Sequence, residues 1–240
     1  MEKLRIKYKL WLIVGIALLC MLFTSLVFLV SLRDDLLEAK KLTTRSAVES
    51  VHGMIENHYA VAASGRITTQ EAQQKVIDLI LKLRYAGDEY FWINDMKPVF
   101  VAHPYPDMNQ QDASDLMDAT GRRMIVEMVD KVKSQGEGYV DYIWRKQDTG
   151  RPSKKISFVK GFAPWGWVIG SGIYVEDVDE AFRSKAIKLG LVMLVSALLI
   201  LGISLLIAKS ITHPLSTLKK GMQRVAEGDL RVKGHGEAEA

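Results

Sequence analysis

The residues that could do chemistry gather in the middle of the chain. Three histidines lie there, His52, His58 and His103, with a concentration of aromatics and donors: Tyr90, Trp92, Tyr139, Tyr142, Trp144, Lys154, Lys155, Ser157 and Lys160. His52 and His58 stand six apart, off the i, i+4 spacing that sets two ligands on one helical face, and no cysteine or acidic pair completes a metal set. His103 and Asp107 could be drawn as an acid–base pair. No nucleophile elbow, phosphate-binding glycine loop or dinucleotide fingerprint accompanies them, so neither an enzyme, a metal nor a cofactor is expected. Aromatic walls with a few convergent donors instead suit a pocket for a small anion. The walls exclude water, and Lys, His, Tyr or Ser donors hydrogen-bond a carboxylate in a site of lower dielectric. The competing reading is that these aromatics are simply core.

The elements that must position these residues follow from periodicity. Residues 33–63 read as a long helix, with Val48, Val51, Ile55, Tyr59 and Ala62 at steps of three and four. A second helix is expected from Thr68, where Thr68 and Glu71 form a capping box, until Gly87-Asp88. The period then changes. Residues 90–94 and 99–103 are short aromatic and β-branched runs about a turn at residues 95–98, a hairpin pattern. A third helix over residues 121–134 precedes three strands at 138–145, 155–160 and 167–174. Alternation puts Tyr90, Trp92 and Asn94 on one face, and Tyr142 with Trp144 on one face. The fold class is therefore α+β: an antiparallel five-stranded sheet with helices as its second layer.

Two uncharged stretches bracket this segment, residues 10–32 and 189–208. At about 1.5 Å rise per residue, each covers the roughly 30 Å of a bilayer's hydrocarbon core. A cleaved signal peptide is the rival reading of the first. Its apolar run exceeds the usual length, and Ser31-Leu32-Arg33 offers no cleavage site before charge begins. Residues 1–9 carry net +3, residues 33–188 net −1 and residues 209–240 net +2, which accounts for the chain's +4. Lys and Arg beside the spans favour the cytoplasmic side, so both termini are expected inside and the middle outside. The basic balance is thus a signal of topology, and no nucleic-acid partner is expected. Cys20, the one cysteine, lies within the first span, so the outer domain has no disulfide to lean on.

Five ordered blocks carry a resemblance: DEYFWINDMKPVFVAHPYPDMNQQD, GRRMIVEMV, GEGYVDYIWRK, KKISFVKGF and PWGWVIGSGIYVEDV. In that order they resemble the single Cache domain of the second subtype, the extracytoplasmic sensor of many bacterial chemotaxis receptors and some sensor kinases. The likeness covers residues 33–188. The segment from Ile211-Thr212-His213-Pro214-Leu215 to Gly228-Asp229-Leu230 is similar to the start of a HAMP linker, placed at residues 209–240. The resemblance implies a PAS-like sheet with a long N-terminal helix, and a pocket for small monocarboxylates such as acetate, propionate, lactate or pyruvate. It points to Tyr90 and Trp92 as wall and donor, His103 and Tyr142 as donors, Lys155 and Ser157 as further donors, and Arg84 as a charge partner. One departure stands out: Phe158 replaces the family's usual Tyr. Lys155 and Phe158 fall on opposite faces of a regular strand, so both line the pocket only if the strand bulges.

Such a chain would act as a two-pass receptor of a bacterial inner membrane, with its sensor domain periplasmic. Ligand would shift the last strand and, through the helix from Val175, move the second span; residues 175–209 would make a rod of about 50 Å. Leu215, Leu218, Met222 and Val225 form a coiled-coil-like seam, which implies a homodimer. The lesser alternative, suited by Lys219, Lys220 and Arg224, is an amphipathic helix on the inner leaflet. The output would be a downstream chemotaxis module, a histidine kinase or a cyclic-dinucleotide enzyme. A structural anchor with an empty domain is the remaining reading.

Overall fold

A computed structural model describes residues 6–146 and 149–226, with side chains from 8 to 210. The chain divides into two compact units, Ser31–Arg183 and a second made of Met1–Val30 with Ser184–Ala240.

In the first unit, helix α2 (Thr69–Lys82) begins at the expected capping box: Thr68 accepts from Glu71 N–H, and the Glu71 carboxylate accepts from Thr68 N–H at 2.8 Å. The sheet follows: β1 (Arg84–Tyr85), β2 (Glu89–Asp95) and β3 (Phe100–Ala102), then α3 (Met124–Gln135), β4 (Glu137–Arg145), β5 (Pro152–Phe162) and β6 (Trp167–Tyr174). All pairings are antiparallel, in the order β1-β2-β6-β5-β4 with β3 also on β2. The five expected strands are present. The two-residue β1, too short to show a period, makes six, and β5 outruns its expected bounds at both ends.

The chain's long helix α1 (Ile6–Ala63) lays Val48, Val51 and Ile55 against one sheet face, with Val76 and Ile80 of α2. That face supplies Phe91, Ile93, Phe158, Phe162, Trp167 and Ile169. The other face supplies Tyr90, Trp92, Val140, Tyr142, Val159 and Val168, packed on Met124, Ile125, Met128 and Val129 of α3. The sheet therefore has helices on both sides, and strand alternation sends its buried side chains to one of two cores.

In the second unit the described residues are helical, belonging to α1 and to α4 (Val175–Ala226). Both helices are long and apolar enough to cross a membrane, and only 6% of either apolar window is buried by protein. No interruption of α4 occurs between Glu176 and Lys188. The expected Gly228-Asp229-Leu230 end of the linker and Lys3 and Arg5 of the N-terminal tail lie outside the described residues.

Candidate functional site

The geometry of β5 decides the question left open by alternation. β5 pairs without register shift on both edges, so there is no bulge. Ser153, Lys155, Ser157 and Val159 point to the α3 side, opposite Tyr142 on β4 and Tyr174 on β6. Phe158 points to the α1 side, 5.0 Å from the Tyr139 ring and under the Arg45 guanidinium at 5.5 Å. The departure at Phe158 therefore does not touch the candidate pocket. Tyr139, counted above among the pocket aromatics, also belongs to the α1 side, where its hydroxyl donates to the Lys41 carbonyl. Lys154 and Lys160 pair with Asp141 and Glu137 away from the site.

Tyr90, Trp92, His103 and Tyr142 do converge, with Phe100, Ile125 and Trp144, around one cavity. Trp92 lies flat over Gly170: a Cβ there would come within 2.2 Å of the indole. Its Nε1 donates to Asn94 Oδ1 at 3.3 Å. Ser157 Oγ and the Tyr142 hydroxyl bond each other at 3.0 Å, and burial pushes the Tyr142 and Tyr90 hydroxyls up, so both keep their protons. His103 Nδ1 accepts from Tyr105 N–H at 3.0 Å, which leaves Nε2 as the protonated, donating nitrogen. Burial, then the nearby charges of Lys155 and Arg145, pushes its pKa down to about 3, so the ring is neutral. Asp107 does not partner it; that carboxylate pairs with Arg145 at 2.7 Å.

One expectation fails. The aromatic cavity measures only about 10 Å³, room for roughly one water and less than any carboxylate needs. The rings have closed over the donors.

What they close over is Lys155. Its side chain is wholly buried, and Nζ has no hydrogen-bond partner among the described residues. The ammonium lies 4.0 Å from the Tyr90 ring centroid, 4.7 Å from Tyr174 and 5.7 Å from Trp92. Ring faces attract a cation but give it no hydrogen bonds. Burial pushes its pKa down to about 7, against an upward pull from Glu89. Ser153 Oγ, two residues along the same face, is likewise buried without a partner.

In front of Tyr90 and Tyr174 opens a crevice of about 550 Å³, also lined by Lys40, Arg84, Asp88, Glu89, Lys146, Asp177 and Glu180. Arg84 is thus not beside the aromatic cavity. It is exposed, and its guanidinium donates to the Leu81 and Leu83 carbonyls at the end of α2. Glu89 is 8% exposed, and no hydrogen bond or ion pair holds it among the described residues. Burial pushes its pKa up to about 7, opposed first by Lys155.

Sequence reasoning missed Glu89, Phe100, Tyr105, Ile125 and Tyr174. Tyr174 was within reach, since it sits in register with Lys155 and its strand carries Gly170 and Gly172 at the same parity. Glu89 offered the weaker signal of an acid opening an apolar strand.

A family model described as Single Cache domain 2 matches residues 36–188. The chain is 35% identical over 244 aligned residues to methyl-accepting chemotaxis protein McpP of Pseudomonas putida, covering 100% of this chain and 45% of McpP. It is 30% identical to sensor histidine kinase MctS of Rhizobium johnstonii over 146 residues, 60% of this chain and 31% of MctS. The chain thus spans less than half the length of these relatives. A solved periplasmic sensor domain of a chemotaxis protein is 43% identical with a TM-score of 0.57, covering 58% of this chain and 97% of that one. A Cache chemosensory domain, solved for its carboxylic acid recognition, is 42% identical with a TM-score of 0.57, covering 59% and 97%. With its two-faced antiparallel sheet and a family match over most of its length, the chain belongs to the Single Cache domain 2 family.

Proposed function

We propose that this chain is the sensing part of a two-pass chemoreceptor whose Cache domain binds a short monocarboxylate at Lys155. The carrying observation is the wholly buried Lys155 Nζ without a hydrogen bond among the described residues. An unpaired buried charge is costly, and a carboxylate supplies both the counter-charge and the acceptors. Ser153 Oγ, His103 Nε2, and the Ser157 and Tyr142 hydroxyls are the further donors within the same core. Binding requires Tyr90 and Tyr174 to part from Lys155, which joins the small cavity to the crevice. A sensor needs two such states with different affinities. The solved neighbour's carboxylic acid recognition supports the ligand class.

An acetate-sized ligand has four heavy atoms, and at about −1.5 kcal/mol each the limit is near −6 kcal/mol, or tens of micromolar. The domain faces the periplasm, with both termini in the cytoplasm of a bacterial inner membrane. Two copies pair, and α4 carries the signal through the second span into a HAMP linker and a downstream module. McpP, aligned along the whole chain, favours a chemotaxis output; the shorter match to MctS favours a kinase. Downstream coding sequence separates them: long heptad helices or a histidine-kinase core.

The test is calorimetry and thermal shift of residues 33–188 against acetate, propionate, lactate, pyruvate, amines, sugars and amino acids. Acetate should bind no tighter than tens of micromolar. Silence toward all of them beside a clear response to an amine or sugar, or a nanomolar acetate affinity, refutes the assignment.

A further inference from the structure

Lys155 is not the only orphan on the α3 side of β5. Ser153 is 3% exposed, and its Oγ has no hydrogen-bond partner among the described residues. It stands two residues from Lys155 with the same parity, so both side chains leave the strand on one face. Of the two serines on that face of β5, Ser157 is bonded to the Tyr142 hydroxyl at 3.0 Å and Ser153 is unbonded. A carboxylate at Lys155 answers the lysine and leaves the serine bare.

We infer that the domain's ligand class is the 2-hydroxy acid, its carboxylate on Lys155 and its hydroxyl held between Ser153 Oγ and the Arg145 carbonyl. This rests on the carboxylate reading above and specifies its ligand.

Sheet register brings these groups under one side chain. Tyr174 ends β6 directly opposite Lys155, so Ser153, two residues nearer the start of β5, has no β6 residue facing it. On its other edge Ser153 faces Trp144, a wall of the aromatic cavity, and the next residue of β4 is Arg145. The Tyr174 hydroxyl donates to the Arg145 carbonyl at 2.8 Å. Because β5 lies between β6 and β4, Tyr174 must cross β5 to make that bond, from the row of Lys155 past the row of Ser153. Its ring centroid is also 4.7 Å from Lys155 Nζ. The parting of Tyr174 that admits a ligand therefore uncovers Lys155, Ser153 and the Arg145 carbonyl together.

Those three present a charge, a donor and an acceptor. The Arg145 carbonyl keeps the Tyr105 hydroxyl at 3.3 Å but loses the shorter bond from Tyr174. A carboxylate only accepts, so it can serve Lys155 or Ser153 and never the carbonyl. A hydroxyl does both: it accepts from Ser153 Oγ and donates to Arg145, taking over the bond that Tyr174 gives up. In a 2-hydroxy acid that hydroxyl is on the carbon beside the carboxylate. Same-face neighbours on a strand are about 6.6 Å apart at Cα, the scale of a short acid hydrogen-bonded at both ends. A 2-oxo acid accepts from Ser153 but has nothing to donate to Arg145, and a plain acid offers neither bond.

The test is calorimetry on the full chain in lipid nanodiscs, with pairs that differ by the hydroxyl alone: lactate against propionate, and glycolate against acetate. Pyruvate serves as the analogue that only accepts. A buried donor and acceptor left bare by the plain acid make lactate bind about ten- to a hundredfold tighter than propionate, with pyruvate between them. Ser153→Ala removes a hydroxyl that has no partner in the free domain, so it should not cost the fold. In that variant the lactate-to-propionate ratio should fall by about fivefold or more. Equal affinities for lactate and propionate in wild type, or an unchanged ratio in Ser153→Ala, overturn the inference and leave the carboxylate site standing. Pyruvate as tight as lactate overturns the part given to the Arg145 carbonyl. No binding of any short acid by wild type overturns the site itself. If Ser153→Ala does not fold, the wild-type comparison of lactate with propionate still decides.

Discussion

Lys155→Met separates the cost of the buried cation from its use. Methionine matches lysine closely in length and fills the same space between Tyr90, Trp92 and Tyr174 without a charge. Replacing buried charged groups by apolar ones of similar volume is commonly neutral to stabilising, by as much as about 1–4 kcal/mol. At about 2–4 °C per kcal/mol for a domain of this size, the ligand-free variant should melt several degrees above wild type. The same change deletes the charge-assisted hydrogen bond to the carboxylate, about 1.5–3 kcal/mol, or roughly 10- to 150-fold in affinity. Stability and binding thus move in opposite directions, which a residue serving only the fold cannot do. The pH dependence has a definite sign. Lys155 falls from its ordinary 10.5 to about 7, so the unfolded chain binds the extra proton between those values. Wild-type stability gains from this group as pH rises through that window, and the advantage of Lys155→Met, full below about 7, narrows toward 10.5. Differential scanning fluorimetry with and without acetate reads all three. A variant that melts below wild type and still shows the acetate shift would refute the reasoning.

Three further outcomes follow from other parts of the domain. Gly170→Ala sets a Cβ within 2.2 Å of the Trp92 ring, so the indole must leave its seat at a cost of about 1–3 kcal/mol, seen as a lower Tm and altered tryptophan fluorescence. Phe158→Tyr restores the family's usual residue on the α1 side, beside Tyr139 and Arg45, and calorimetry should find the same ligand affinities as wild type. Asp118 accepts from Thr120 N–H, Arg122 N–H and Ile143 N–H. Burial opposes its ionisation, but bonds from Thr120, Ile143 and Arg122 outweigh it and hold the pKa at about 2. Its contribution is therefore complete above its ordinary 3.8 and lost as pH falls through about 2. Asp118→Asn should cost about 1.5–3 kcal/mol near neutrality and flatten that acid limb in a pH series of melts.

What the sequence disclosed was whatever depends on period and local chemistry. The Thr68–Glu71 box fixed the start of α2 to the residue. Alternation in β2 and β4 correctly grouped Tyr90 with Trp92 and Tyr142 with Trp144. It also stated the opposition of Lys155 and Phe158, though not which side held the site. That choice depends on which helix covers which face, a non-local matter. Arg84 shows the same boundary: its place beside the hairpin is sequential, but its side chain turned back to cap α2. The expected hollow failed for a related reason. Residue types specify a wall, whereas volume depends on rotamers, and here the rings pack onto the ammonium.

That closed packing gives the receptor reading its mechanical content. β6 is buried along its whole length and hydrogen-bonded to β2 on one edge and β5 on the other, so sliding it would break two ladders. Its C-terminal end is less constrained. There Tyr174 rests against Lys155, its hydroxyl donates to the Arg145 carbonyl at 2.8 Å, and the next residue, Val175, begins α4. The first turn of α4 is tied to the same corner through Asp177 and Lys146. A ligand that takes Lys155 from the aromatic faces must displace the Tyr174 ring. The side chain that closes the pocket is one peptide bond from the helix that leaves the domain. The free energy available to move it is the difference in ligand affinity between the open and closed states, no more than the roughly 6 kcal/mol a four-atom ligand can supply. A contact as local as one ring on one ammonium is of a size that such a ligand can switch.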